Sequence, residues 1–268
     1  MAGILYVVAT PIGNLEDITL RAIRILKEVT VIACEDTRHT RKLLDHYEIS
    51  KPAISYHEHN EASRTAEIIE RLEAGDHVAL VSDAGTPLIS DPGYRVVAAA
   101  IAAGITVVPI PGANAAITAL SASGLPIDAF RFCGFLPPKT TQRRKLLEQL
   151  KPETCTLIFY EAPHRILEAL EDIAAVMGSR EVVLARELTK MHEEFARGKP
   201  ADLASTISTR GEFTILIGKA TAADPVDTPI EDQVTALEKQ GMARMDAIKQ
   251  VAKTRGLSKR EVYKKVSE

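Results

Sequence analysis

Short apolar, β-branched runs punctuate the first half of the chain, at residues 4–9, 29–34, 53–56, 77–82 and 106–110. Between them the apolar positions take helical spacing, as at Leu20, Ile23 and Leu26 and at Ile68, Ile69 and Leu72. Runs this short read as strands and the intervening period as amphipathic helices, so the alternation predicts a parallel sheet with crossover helices. Gly75 and Gly104 stand where two of these helices should stop. The stretch from Val96 to Ile127 carries no charge, yet Gly104, Pro109, Pro111, Gly112, Asn114 and Gly124 divide it. It therefore reads as a helix, a strand and another helix, not as a membrane span.

A second set of runs, at 130–135, 156–160, 181–186, 193–197 and 213–218, includes gaps too short for a helix, so antiparallel pairings are expected among them. The pattern suggests an α/β protein of two domains, 1–118 with a parallel sheet and 119–222 with a mixed one, joined through 121–126. A Pro-containing linker over 220–229 leads to an appendage at 230–268. There Met245, Ile248 and Ala252 share a face, Gly256 ends a turn, and Ser258 with Glu261 makes a capping-box pattern. Two or three short helices are expected.

Composition changes this picture in two places. With 268 residues, 46% apolar and 26% charged, the chain can bury a sizeable core, and its three cysteines, Cys34, Cys133 and Cys155, show neither zinc nor redox spacing. With no basic segment before the first apolar run, a reducing cytoplasm is the expected setting. The net charge of −3 hides an asymmetry: residues 230–268 hold nine Lys or Arg against six Asp or Glu. That tail is the expected polyanion-facing surface, the alternative being a solvated helical tail.

In an open parallel sheet, ligands sit beyond the carboxyl ends of the strands. All five such ends run into polar or turn-forming segments: Thr10-Pro11-Ile12-Gly13-Asn14, Glu35-Asp36-Thr37-Arg38-His39, His57-Glu58-His59-Asn60-Glu61, Ser82-Asp83-Ala84-Gly85-Thr86-Pro87 and Pro111-Gly112-Ala113-Asn114. Neither a dinucleotide fingerprint nor a Walker loop is present, so a nucleoside ligand without phosphates fits better. Small residues around Asp83 let backbone groups approach such a ligand closely.

The string Tyr6-Val7-Val8-Ala9-Thr10-Pro11-Ile12-Gly13-Asn14-Leu15 resembles the tetrapyrrole methylase superfamily, together with Cys34-Glu35-Asp36-Thr37-Arg38, the loop Ser82 to Pro87, Ser90-Asp91-Pro92-Gly93, Pro111-Gly112 and Phe159-Tyr160-Glu161-Ala162-Pro163-His164-Arg165. The likeness is greatest to its ribosomal branch and covers nearly the whole chain. The resemblance implies S-adenosylmethionine in the cleft between two α/β domains, a homodimer, and 2′-O-methylation of a cytidine in the decoding region of 16S rRNA within the small ribosomal subunit. Carried over by position, Pro11, Ser82, Asp83, Gly85, Thr86, Asn114, Ala115, Tyr160, Leu188 and Phe213 are expected to line the cofactor pocket. Tetrapyrrole-modifying relatives carry Gly-Asp-Pro where this chain has Ser82-Asp83-Ala84, which makes a tetrapyrrole C-methyltransferase the second reading. A catalytically silent RNA-binding assembly factor is the third.

For a general base and its supporting charges the candidates are Glu35, Asp36, Arg38, His57, Glu187 and Lys190, all just beyond strands. A lysine base needs a lowered pKa, which Arg186 or Arg38 would supply; the alternative for Asp36 and Arg38 is a structural ion pair. His57 and His59 lack a third ligand at recognisable spacing, so no metal is expected. Lys139, Arg143, Arg144 and Lys145 after Pro137-Pro138, with Lys253, Arg255, Lys259, Arg260, Lys264 and Lys265, are the candidates for RNA phosphates. With no Trp and 4% aromatics, backbone charge and shape should carry recognition more than base stacking.

Overall fold

The computed structural model describes residues 2–220, 229–239, 241–255 and 257–267. Its first half runs β1 (Ile4–Val8), α1 (Leu20–Glu28), β2 (Val31–Cys34), α2 (Thr37–His46), β3 (Ala53–Ser55), α3 (Glu61–Glu73), β4 (Val78–Val81), α4 (Tyr94–Ala102), β5 (Thr106–Ile110) and α5 (Ala115–Ser123). The five strands form one parallel sheet in the order β3-β2-β4-β1-β5, with Tyr6 of β1 opposite Ala79 and Val108. Successive residues of a strand face opposite sides. Ile32, Cys34, Ala79 and Val81 accordingly pack under α1 and α2, while Val31, Ala33, Val78 and Leu80 pack under α3 and α4. Both faces are covered, which is why these strands read as unbroken apolar runs.

The second half continues β6 (Phe130–Phe135), α6 (Thr140–Leu150), β7 (Thr156–Glu161), α7 (Ile166–Met177), β8 (Val182–Arg186), β9 (Glu194–Gly198), α8 (Pro200–Thr206) and β10 (Phe213–Ile217). Its sheet has the order β6-β7-β10-β8-β9, with β6 parallel to β7 and antiparallel pairing elsewhere. Helices α6, α7 and α8 cover one face over Phe159, Leu184 and Ile215. The other face is covered by α5, whose Ala116, Ala119 and Leu120 pack on Ile158, Val183 and Leu216. A boundary near residue 118 therefore falls inside a helix, and residues 121–123 of the expected joining segment are helical. By packing, the chain changes sheets before Ala115.

Two helix faces also differ from the sequence pattern. Thr19 caps α1, its hydroxyl accepting the Ala22 N–H at 3.1 Å, and this turns Leu20 outward at 87% exposure while Ala22, Ile25 and Leu26 enter the core. In the appendage, Ile248 and Ala252 are buried but Met245 is half exposed. That appendage consists of α9 (Ile230–Lys239), α10 (Arg244–Arg255) and α11 (Lys259–Ser267) around Val234, Ala247, Ile248, Val251 and Val262. Its capping box is formed in both directions: Ser258 N–H donates to Glu261 Oε2 at 2.7 Å, and Glu261 N–H to Ser258 Oγ at 3.3 Å. Residues 221–228 of the expected linker, and Gly256, lie outside the described residues. No helix among the described residues is long and apolar enough to cross a membrane.

Candidate active site

The carboxyl ends of β1, β4 and β5 and the ends of β7, β8 and β10 enclose a cleft of about 410 Å³. Its floor is the loop after β4, held from three sides. Backbone hydrogen bonds in both directions join Thr10 to Gly85, at 2.9 and 3.1 Å, and Thr10 Oγ1 donates to the Ser82 carbonyl at 3.1 Å. Asp83 Oδ1 accepts the Asp36 N–H at 3.1 Å, tying in the loop after β2. Thr86 Oγ1 donates to the Ala113 carbonyl at 3.2 Å, tying in the loop after β5. The turn itself needs Gly85, whose φ of 82° is disfavoured for side-chain-bearing residues. Asn114 caps α5 by accepting the Ile117 N–H at 3.1 Å, and Tyr160 Oη accepts the Ala116 N–H at 3.3 Å from across the cleft.

Of the residues expected to line a cofactor pocket, Asp83, Gly85, Thr86, Asn114, Ala115, Tyr160, Leu188 and Phe213 all border this cleft. Pro11 and Ser82 do not: both are buried beneath it. The Ser82 hydroxyl oxygen lies 3.3 Å from the carbonyl oxygens of both Ala84 and Gly85, behind the loop.

The six candidates for proton transfer lie outside the lining. Asp36 caps α2 and pairs with Arg38 at 2.7 Å, and with Arg38 at 89% exposure this is the structural ion pair. The Arg38 side chain and backbone N–H hold Asp36 well below the usual carboxylate range. His57 turns into its own loop, with Nε2 3.2 Å from the Asn60 amide nitrogen. Burial and the negative charge of Asp83 raise Glu35. Lys190 corrects the expectation of a lowered pKa. Burial pulls it down, but hydrogen bonds to Glu187 at 2.9 Å and Glu212 at 3.0 Å outweigh this and raise it, while Arg186 pairs with Glu194. Its stem lies across Gly13, where an added Cβ would come within 2.5 Å of it. Glu187 and Lys190 thus brace the loop after β8 against the loop after β1.

Asp91, Glu161 and Glu212 border the cleft although sequence position did not single them out for chemistry. Burial, then the negative charges of Glu35 and Asp83, push Asp91 up to about 6 against an opposing hydrogen bond from Ser82. A carboxyl raised in the folded state stabilises it fully below the unfolded pKa and loses that contribution as pH rises through the folded value. Asp91 and Glu35 act together here, whereas Asp36, Glu67, Glu187, Asp246 and Glu261 are held below their ordinary values by hydrogen bonds and nearby cations, so their contributions are lost only at more acid pH. Allowing for partial exposure, the ligand-free protein should lose about 1 kcal/mol between pH 4.5 and 6.5. Urea unfolding across that window, with Asp91→Asn removing most of the slope, checks this.

Among the expected RNA contacts, Arg143 is corrected by its burial. It is fully enclosed, with Nε 2.6 Å from Asp172 Oδ2, and drawing it out would strip Asp172 of a buried partner. Lys139, Arg144 and Lys145 are exposed, Arg144 also pairing with Asp172. In the appendage Lys253, Lys259, Arg260, Lys264 and Lys265 are exposed, while Arg255 is half-buried and donates to Gln233 at 3.1 Å. No group of three or more metal-ligating side chains occurs among the described residues.

Residues 4–204 match the family model described as Tetrapyrrole (Corrin/Porphyrin) Methylases. Ribosomal RNA small subunit methyltransferase I of Halalkalibacterium halodurans is 50% identical over 97% of this chain and 93% of its own length. The Bacillus subtilis protein of the same name is 48% identical over 97% and 93%. Among solved structures, a diphthine synthase superposes with a TM-score of 0.64 at 14% identity, covering 80% of this chain and 89% of that one. Uroporphyrin-III-C-methyltransferase from Thermus thermophilus gives 0.58 at 22%, covering 81% and 94%. At those identities the superpositions speak for the fold alone.

Proposed function

Since the chain belongs to the tetrapyrrole methylase family, among relatives named ribosomal RNA small subunit methyltransferase I, we propose that it methylates the ribose 2′-oxygen of a cytidine in the decoding region of 16S rRNA. At the coarser level it is an S-adenosylmethionine-dependent rRNA methyltransferase. The charge of the cleft carries the reading: Asp83, Asp91, Glu161 and Glu212 border it and, among the described residues, no lysine or arginine does. Such a lining suits a nucleoside that is cationic through its sulfonium and free of phosphate. It offers nothing to the acidic side chains of a tetrapyrrole.

In this reading Asp83 and the backbone of Ala84 to Thr86 hold the polar ends of the ligand, and Leu188 and Phe213 cover its apolar surface. Bound there, S-adenosylmethionine supplies an electrophilic methyl on a sulfonium leaving group. What the chain must add is mainly alignment, worth roughly 7–11 kcal/mol, against about 10²–10⁴-fold from a positioned base. The appendage would hold the RNA through its phosphates while the cleft holds the acceptor ribose.

The test is transfer of labelled methyl from S-adenosylmethionine to purified small subunits lacking this modification, followed by nucleoside analysis. Label in 2′-O-methylcytidine at the decoding region is the expected result. Label on a base, label on a tetrapyrrole, or no transfer overturns the proposal.

A further inference from the structure

We infer that the Asp91 carboxylate is the base that takes the 2′-hydroxyl proton of the acceptor ribose as the methyl is transferred. This rests on the rRNA 2′-O-methylation proposed above and assigns the group that completes it. In the step, the hydroxyl oxygen forms a bond to the methyl carbon, the carbon–sulfur pair stays on sulfur, and the proton passes to Asp91. One carboxylate and one sulfonium thus give a carboxylic acid and a neutral thioether.

The assignment comes from what the other carboxylates around the cleft already hold. Asp83 accepts the Asp36 N–H. Glu161 is buried and pairs with Arg165 at 2.5 Å. Glu212 is held by Lys190 at 3.0 Å. Asp91 borders the cleft and has no ion pair among the described residues. The groups that act on it are Glu35 and Asp83 beside it and the Ser82 hydroxyl, and it in turn acts on the Tyr160 hydroxyl of the second sheet. It therefore stands where the two halves of the protein meet.

The loop that carries it is costly to build. Leu88 and Ser90 have φ of 71° and 69°, a left-handed conformation that side-chain-bearing residues adopt rarely. Such a conformation persists only where the surroundings enforce it. Here the enforced shape brings residue 91 back over the end of β4. Burial and like charge leave the Asp91 carboxylate basic enough to accept a proton near neutral pH, titrating at about 6, whereas an ordinary aspartate titrates near 3.9.

Single-turnover methyl transfer to unmodified small subunits, using labelled S-adenosylmethionine, tests the assignment. With Asp91→Asn the rate at pH 7.5 should fall about 10²–10⁴-fold, while the cofactor Kd, read by calorimetry, shifts less than about fivefold. The wild-type rate should rise about tenfold per pH unit up to about 6 and then level, and the variant should lose that limb. Asp91→Glu should recover part of the rate, and a Tm no lower than wild type for both variants separates chemistry from folding. A variant within tenfold of wild type, a pH limb that persists, or a loss lying wholly in cofactor affinity overturns the role of Asp91 alone. Wild-type label on a base instead of a ribose oxygen overturns the proposed reaction and this role together.

Discussion

Asp83→Ala should weaken S-adenosylmethionine binding by about two orders of magnitude. Two losses combine in that figure. The carboxylate borders the cleft, and a hydrogen bond to a charged group contributes about 1.5–3 kcal/mol, or roughly 10- to 150-fold in affinity. Its Oδ1 also holds the Asp36 N–H at 3.1 Å, so the substitution frees the floor loop from the loop after β2. Asp83→Asn keeps an acceptor at that position without the charge and should recover about half of the lost binding energy. Isothermal titration of both variants decides: a Kd for the alanine variant within threefold of wild type would remove Asp83 from the cofactor site. Equal losses in the two variants would mean that charge alone matters.

Asp83 was legible in the sequence and Asp91 was not, and the difference is physical. Asp83 comes two residues after β4, where strand direction alone places it at the sheet edge. The same argument reaches Gly85, Asn114 and Ala115, which follow short, strongly apolar strands. Asp91 lies ten residues past the strand, and its position depends on left-handed turns at Leu88 and Ser90, which those residue types do not announce. Arg143 shows the same limit from the other side. In the run Arg143-Arg144-Lys145 the three cations look alike, and only the packing of α6 on α7 buries the first of them against Asp172 while Arg144, on the same carboxylate, stays exposed. Helix α5 was visible as a helix, but it is apolar nearly all round, so no periodicity tells which sheet it covers.

Removing the appendage, to leave residues 1–220, should separate RNA binding from cofactor binding. The buried core of α9, α10 and α11 is made from their own residues, and the four clusters of the two sheets end with Ile217 of β10. Among the described residues the cut therefore divides no buried apolar cluster of the catalytic half, and the cofactor Kd should stay within twofold. What leaves is cationic: Lys253, Lys259, Arg260, Lys264 and Lys265 are all exposed. Each phosphate contact adds roughly 0.7 to 0.9 to the slope of log affinity against log salt. If about four of these side chains meet phosphates, the slope should flatten by about three, and affinity for small subunits at low salt should drop on the order of 100-fold. Filter binding between 50 and 200 mM salt, at about the concentrations where that dependence is steep, measures both. A solvated tail with no RNA role predicts the opposite, an unchanged slope and affinity, and a Lys259→Glu, Lys265→Glu double variant of the full chain separates the cases again. Its loss should track the truncation in direction, because it reverses the charge at two of these exposed lysines and leaves the fold of the appendage in place.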